Sequence, residues 1–345
     1  MKIALDAMGH DEGPGKLVEG AALALGEFPQ ITRLYLTGDA ARLEAELKRV
    51  GCNDRRIEIA HCTQVVEMSD HAIDAVRRKK DSSIARAVDL VKNGEAEAVV
   101  SAGHTGACVA ATTIKLRTLP GIERPGIAAT MPTEKNLFVL IDAGANTEPT
   151  PRQMMHNAIM GAVYSEHVLG YKNPSVGIMS IGTEDEKGNA FTREAFELIK
   201  NSGLNFRGNI EGHDLFENPV EVVVADGFTG NIVLKTSEAI AHAIFGWLKH
   251  EIYKSPIRKL GAMLAKGAFQ NIRKRTSADE YGGMPLLGID GVCIIGHGGS
   301  SPVAVKNAIR MAVQSISQQV NPHIVEHIQR YNEQDAASHH APPQA

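Results

Sequence analysis

The sequence predicts an α/β fold built on a mostly parallel, doubly wound Rossmann-like sheet. Along most of the 345 residues, short apolar runs ending in glycine are each followed by an amphipathic stretch, the pattern of strands alternating with crossover helices. Several runs are rich in Val and Ile with no alternation, as strands covered on both faces require. At roughly 150 residues per domain the length accommodates one large α/β domain or two smaller ones, with core enough to need no disulfide or structural metal.

Taken in order, Lys2 to Ala7 reads as a buried strand, followed by a helix from Lys16 to Glu27. Strands at Arg33 to Thr37 and Arg56 to Ala60 flank a helix at Ala40 to Val50, and a helix at Ser83 to Asn93 leads to a strand at Ala96 to Ser101. A helix at Ala107 to Leu116 precedes strands at Gly126 to Met131 and Leu137 to Asp142. Helices at Arg152 to Leu169 and Thr192 to Asn201 bracket a strand at Ser175 to Ile181. Strands at Glu221 to Ala225 and Gly291 to Ile295 are followed by helices at Asn231 to Ile252 and Pro302 to Val320. No proline-rich or serine-rich linker interrupts the series, so residues 1–331 are expected to form a single domain with a helical arm inserted at about 250–280. Residues 332–345 are polar, with His339-His340 and Pro342-Pro343, and are expected to be a flexible tail.

Composition narrows the function classes. Hydrophobic residues at 43%, charged residues at 22% and a mean hydropathy of -0.14 are ordinary for a globular protein. No apolar run reaches the ~18 residues of a spanning helix, and the opening strand leaves no room for a signal peptide, so a cytoplasmic protein is expected. Cys52, Cys62, Cys108 and Cys293 are too far apart for a metal knuckle and read as free packing thiols. A net charge of -4 argues against nucleic acid as a partner.

Ligands of open α/β sheets bind beyond the carboxyl ends of strands, where loop amides and helix N-termini point outward. Small glycine-containing clusters fall at six such ends, supplying Asp6, Gly9 and Asp11; Gly103, His104, Thr105 and Gly106; Asp142, Gly144 and Asn146; Gly182; Asp226, Gly227 and Gly230; and His297 with Ser300. Each cluster alone also fits an ordinary tight turn. Six together on one rim predict a site for phosphate or a developing oxyanion. The P-loop and the dinucleotide fingerprint are missing, which counts against nucleotide-driven phosphoryl transfer and hydride transfer. A nucleophile elbow is missing too, which counts against an acyl-enzyme. Lys187 lies where a flexible loop can deliver an ammonium to an anion, though it can equally be a solvated lysine balancing Glu184, Asp185 and Glu186. Asn231 is placed at a helix start, as a cap or a ligand contact.

Between Lys254 and Arg275 there are seven cations and no acid. At 100° per residue, Ile257, Leu260, Leu264 and Ile272 share one face while Lys259, Lys266 and Arg273 share the opposite one, with Arg258 adding to the charge. Such a segment suits an anionic membrane surface, an acidic protein partner, or packing on its own chain or a dimer mate. Gly261 and Gly267 each cost helix stability, so the segment is expected either as two short helices or as one that orders only on contact.

The strings Met1 to Gly9, Ser101 to Ala107, Gly208 to Gly212, Asp226 to Asn231 and Tyr281 to Gly288, in that order from residue 1 to about 318, resemble the bacterial acyl carrier protein:phosphate acyltransferases. The resemblance implies an αβα sandwich related to phosphotransacetylases and isocitrate-dehydrogenase-like folds. It implies a homodimer, peripheral at the inner face of the cell membrane, that makes acyl phosphate from orthophosphate and long-chain acyl carrier protein. That product feeds phospholipid synthesis through a downstream glycerol-3-phosphate acyltransferase. By position, the family's catalytic lysine and asparagine fall on Lys187 and Asn231, and Gly283 joins the substrate-binding candidates. The chain departs from the family pattern at His10, His104 and His213, where glycine, asparagine and arginine are common.

The expected chemistry is direct attack of a phosphate oxygen on the thioester carbonyl, with loop amides, Lys187 and Asn231 holding the charge. No cofactor or metal is expected. The rivals are a short-chain phosphotransacetylase using coenzyme A, a non-catalytic membrane and carrier-protein scaffold, and, on fold analogy alone, a dehydrogenase.

Overall fold

The computed structural model describes residues 1–217 and 220–340. Its strands are β1 (Lys2–Asp6), β2 (Arg33–Gly38), β3 (Ile57–His61), β4 (Ala98–Ser101), β5 (Gly126–Pro132), β6 (Leu137–Ile141), β7 (Ser175–Met179), β8 (Asn205–Ile210), β9 (Val222–Val224), β10 (Met284–Leu287) and β11 (Val292–Ile295). The helices before the arm are α1 (Gly15–Glu27), α2 (Ala40–Arg49), α3 (Ala72–Arg78), α4 (Ser83–Lys92), α5 (Thr105–Leu116), α6 (Pro151–His167) and α7 (Ala190–Lys200). After them come α8 (Gly227–Tyr253), α9 (Pro256–Leu264), α10 (Lys266–Thr276), α11 (Ala278–Tyr281), α12 (Pro302–Ser317) and α13 (Val320–His340).

The eleven strands among the described residues form one sheet in the order β3-β2-β1-β4-β11-β10-β5-β6-β9-β7-β8. Alternate strand residues enter two separate cores, one on each face. Ile3 and Leu5 join Val139, Ile141 and Val224 beneath α1, α6, α7, α12 and α13. Ala4 joins Val99, Phe138, Leu140 and Val223 beneath α3, α4, α5 and α8. The result is a three-layer αβα sandwich. Helix starts are set by local side-chain caps: Thr150 and Gln153 form a capping box on α6, with Pro151 in its first turn, and Asp226 caps α8. All four cysteines are free thiols.

Pairing directions divide the sheet. Strands β3, β2, β1, β4 and β11 are mutually parallel, and so are β6, β9, β7 and β8. Between the two blocks, β10 is antiparallel to both β11 and β5, and β5 is antiparallel to β6. Three reversals leave the blocks running in opposite directions, so their carboxyl ends face opposite edges of the sheet. The expected single rim of six clusters is therefore two groups of three. Because β10 is antiparallel to both neighbours its two reversals cancel, and the net change of direction falls at the antiparallel β5–β6 pair; β10 itself is not among the expected strands.

Three further elements differ from expectation. Strand β8, with Gly208 and several polar residues, lies at the sheet's end, and α3 is a short charged helix. Residues 332–340, expected in the tail, belong to α13; residues 341–345 of that tail lie outside the described residues. The basic segment does fold as two helices, α9 and α10, neither of which contains a buried residue. No helix among the described residues is long and apolar enough to cross a membrane.

Phe138 is fully buried in β6 and meets Phe216 edge to face at 6.5 Å. Phe138→Ala is expected to cost about 3–5 kcal/mol, read as a fall in the urea midpoint; an unchanged midpoint would mean that the sheet does not depend on this packing.

Candidate active site

One edge of the sheet collects the ends of β1, β4 and β11. Gly9 and Gly103 touch here so closely that a Cβ on Gly9 would lie 2.7 Å from the Gly103 Cα. Below them Asp6 is buried, accepts a 2.8 Å hydrogen bond from Ser101 Oγ, and is raised above the ordinary carboxyl pKa by burial. The histidines of this edge are largely occupied by the chain itself. His10 meets the Ser300 carbonyl through Nε2 at 3.0 Å and accepts from the Glu12 N–H at Nδ1. His104 caps α5, accepting from the Ala107 N–H at Nδ1, while Nε2 reaches the Asp70 carbonyl at 3.0 Å. Thr105 and Gly106 form the first turn of that helix. The Asp11 N–H bonds the Gly298 carbonyl, and Ser300 Oγ accepts from the His297 N–H. Gly283, just before β10, packs on the Ile295 carbonyl at the same edge.

The opposite edge collects the ends of β6, β9 and β7, and it brings together both residues on which the resemblance places catalysis. Asp142, fully buried after β6, accepts backbone hydrogen bonds from Ile127 (3.0 Å), Gly144 (2.9 Å), Ala145 (2.8 Å) and Asn146 (2.7 Å). Burial raises its pKa while these four donors oppose the shift. With both oxygens so engaged, Asp142 organises its loop from within.

Helix α8 docks on that loop. The Gly227 N–H donates to the Asn146 carbonyl at 2.9 Å, and a Cβ on Gly230 would stand 2.0 Å from the Asp142 carbonyl oxygen, so only glycine permits the approach. Asp226 caps the helix, taking the Thr229 N–H at 2.8 Å and the Thr229 hydroxyl at 2.7 Å. The helix thus starts four residues before Asn231, which is no cap. Asn231 is exposed and its side chain lies along Gly144, where a Cβ would come 3.5 Å from its own Cβ.

Lys187 follows β7 in a loop tied to β8 by a 2.6 Å bond from Asn209 Nδ2 to the Glu184 carbonyl. Its aliphatic stem passes over Gly182, where a Cβ would lie 2.8 Å from Lys187 Cγ. The ammonium is half exposed and stands 4.0 Å from Glu184, too loose a pair to hold it from an incoming anion. His213 lies on the surface beside Glu211 and Asp214.

Two features of α8 escaped the sequence reading. Lys235 and Glu238 continue the flank of Asn231 at i+4 and i+7, a spacing that is legible once the helix is known. They meet His297 from the other edge: Lys235 Nζ lies 3.4 Å from His297 Nδ1, and Glu238 lies 3.3 Å from Nε2. Away from that flank, α8, Phe269 and Ile272 of α10, and Gly212, Leu215 and Phe216 line an open cavity of about 620 Å³ with an almost wholly apolar lining. Among the described residues no cluster of three His, Cys, Asp or Glu side chains is placed to hold a metal ion.

Burial raises the pKa of the Glu238 carboxyl, but His297 and Lys235 outweigh it and bring it to about 2, against an ordinary 4.5. A depressed folded value stabilises the protein above the unfolded pKa and is lost as pH falls through the folded one. Glu238→Gln is therefore expected to be less stable than the parent near neutral pH and to match it near pH 2, by urea unfolding. A gap that stays constant over that range would contradict the pairing.

The family model described as "Fatty acid synthesis protein" matches residues 1–323. The phosphate acyltransferase of Akkermansia muciniphila is 48% identical over 336 residues, covering 96% of each chain, and that of Geobacter sulfurreducens is 46% identical over 326 residues, covering 94% of each. Among solved structures, a phosphotransacetylase from Streptococcus pyogenes aligns with a TM-score of 0.60 at 21% identity over 92% of this chain and 94% of its own. EutD phosphotransacetylase from Staphylococcus aureus gives 0.56 at 15% over 95% and 94%. At these identities the structures speak to the fold, and the sequence relatives to the family. The chain belongs to the phosphate acyltransferase family of fatty acid synthesis proteins and is an acyltransferase.

Proposed function

We propose that the chain transfers a long-chain acyl group from acyl carrier protein to orthophosphate, releasing acyl phosphate for phosphatidic acid synthesis. The observation that carries this reading is the convergence of Lys187 and the Asn231-bearing start of α8 at one sheet edge, beside a loop held by Asp142. Phosphate oxygen attacks the thioester carbonyl, and the tetrahedral oxyanion collapses by expelling the phosphopantetheine thiolate. The Lys187 ammonium and the Asn231 amide supply donors for the nucleophile and the oxyanion. The apolar cavity along α8 lies in the size range of small-molecule sites, roughly 300–1,000 Å³, and supports a hydrocarbon-bearing substrate.

The arm serves the same chemistry. Ile257 and Leu264 are 82% and 81% exposed, while Arg258, Lys259, Lys266 and Arg273 lie on the same two helices. Acyl carrier protein is acidic and is steered by the cations. The apolar residues insert into the inner face of the cell membrane, where a glycerol-3-phosphate acyltransferase receives the product. The exposed Trp247 of α8, which does not line the apolar cavity, suits a homodimer contact.

The test is release of carrier thiol from palmitoyl-acyl carrier protein with and without orthophosphate. Phosphate-dependent release with acyl phosphate recovered is expected, and Lys187→Ala or Asn231→Ala is expected to lower turnover by ~10²–10³. Faster turnover of acetyl-coenzyme A would favour a short-chain enzyme; carrier and vesicle binding without thioester loss would leave a scaffold. Replacing Leu260 and Leu264 by Glu is expected to release the protein from anionic vesicles while soluble turnover persists. Retained vesicle binding would remove the arm from membrane contact.

A further inference from the structure

We infer that His297, oriented by Glu238, is the proton shuttle of this acyl transfer. The inference rests on the function proposed above and adds a group that moves the proton. His297 belongs to the loop after β11, and its ring crosses to α8. There Nδ1 lies 3.4 Å from Lys235 Nζ and Nε2 lies 3.3 Å from Glu238 Oε1, while Lys235 and Glu238 are themselves 2.9 Å apart. An ammonium can only donate. Nδ1 therefore accepts from Lys235, and Nε2 carries the hydrogen donated to Glu238. The ring then has one accepting nitrogen and a carboxylate behind the other, the base-and-orienter arrangement of activated nucleophile sites.

Three observations favour chemistry over a surface ion pair. The loop is pinned: Ser300 Oγ accepts from the His297 N–H, the Asp11 N–H bonds the Gly298 carbonyl, and His10 holds the Ser300 carbonyl. Glu238 stays ionised over the working range, so it orients the ring without taking its proton. Asn231, Lys235 and Glu238 follow one another on a single flank of α8, at a spacing that leaves about 5–6 Å between successive Cβ atoms one turn apart. The two side chains that the partly exposed imidazole meets, Lys235 and Glu238, thus lie one and two turns along α8 from Asn231. Glu238 and Lys235 face it from α8, and Asp11 borders its loop at Gly298.

The proton balance is closed. Hydrogen phosphate attacks the thioester carbonyl, forming the C–O bond, and its P–OH proton passes to Nδ1. Lys235 turns to the phosphate and leaves Nδ1 free. Collapse of the oxyanion breaks the C–S bond, and the departing thiolate takes the proton from Nδ1, giving free thiol, acyl phosphate and neutral imidazole.

The leaving thiol tests this step. Turnover is compared for palmitoyl-acyl carrier protein, whose alkyl thiolate gains from protonation, and a palmitoyl aryl thioester, whose acidic thiol does not. His297→Gln is expected to lower kcat by at least ~10² with the carrier donor, by under about threefold with the aryl donor, and to leave KM for phosphate unchanged. Glu238→Gln, which keeps the side chain's size, is expected to show the same donor dependence more weakly, and it stands in if the histidine variant does not fold. Equal losses with both donors, or none, would overturn the shuttle while wild-type turnover upheld the acyl transfer; a wild-type protein inert with both donors would overturn both.

Discussion

Four backbone N–H groups converge on the buried carboxylate of Asp142, and the rest of the candidate site is built on that contact. A buried carboxylate without partners would cost more than the fold could absorb. Here its acceptor positions organise the turn after β6 from inside. The turn's outer carbonyls then meet α8, at Asn146 through Gly227 and at Asp142 through Gly230. Asn231 takes its position against Gly144 from this docking, so one buried side chain relays its geometry from strand to loop to helix.

Helix α8 joins parts of the chain that the sheet keeps apart. Its cap lies at the carboxyl end of β9 and its third turn meets the loop from β11 on the opposing block. One flank carries Asn231, Lys235 and Glu238, another lines the apolar cavity, and its far end leads into the exposed arm. A polar flank beside an apolar cavity suits a reaction between a charged inorganic nucleophile and a lipid thioester.

Much of this was legible in the sequence, for identifiable reasons. Strands buried on both faces, such as Val222 to Val224 and Leu137 to Ile141, announce themselves as unbroken apolar runs. The division of the basic segment into two helices was one of the readings that Gly261 and Gly267 allowed, and the break falls between them at Ala265. Strand β10 was not legible, because Met284 to Leu287 contains a proline and pairs over only a few residues. The polarity of half the sheet reverses at the antiparallel β5–β6 pair, whose strands were legible but whose relative direction in a mostly parallel sheet was not, so the arrangement of six glycine clusters in two groups could not be read along the chain. The start of α8 was hidden because its first turn, Gly227 to Gly230, carries two glycines and reads as a loop, while Asp226 caps it. His104 looked like a ligand donor because its glycine neighbours are visible in sequence and its bonds to Ala107 and Asp70 are not.

Because the sheet offers two edges, locating bound orthophosphate tests the account most directly. Crystals grown with orthophosphate and a non-cleavable thioether of palmitoyl-acyl carrier protein are expected to hold phosphate within hydrogen-bond distance of Lys187 Nζ and Asn231 Nδ2. Phosphate bound only between Asp6 and Gly103, at the edge formed by β1, β4 and β11, would contradict it.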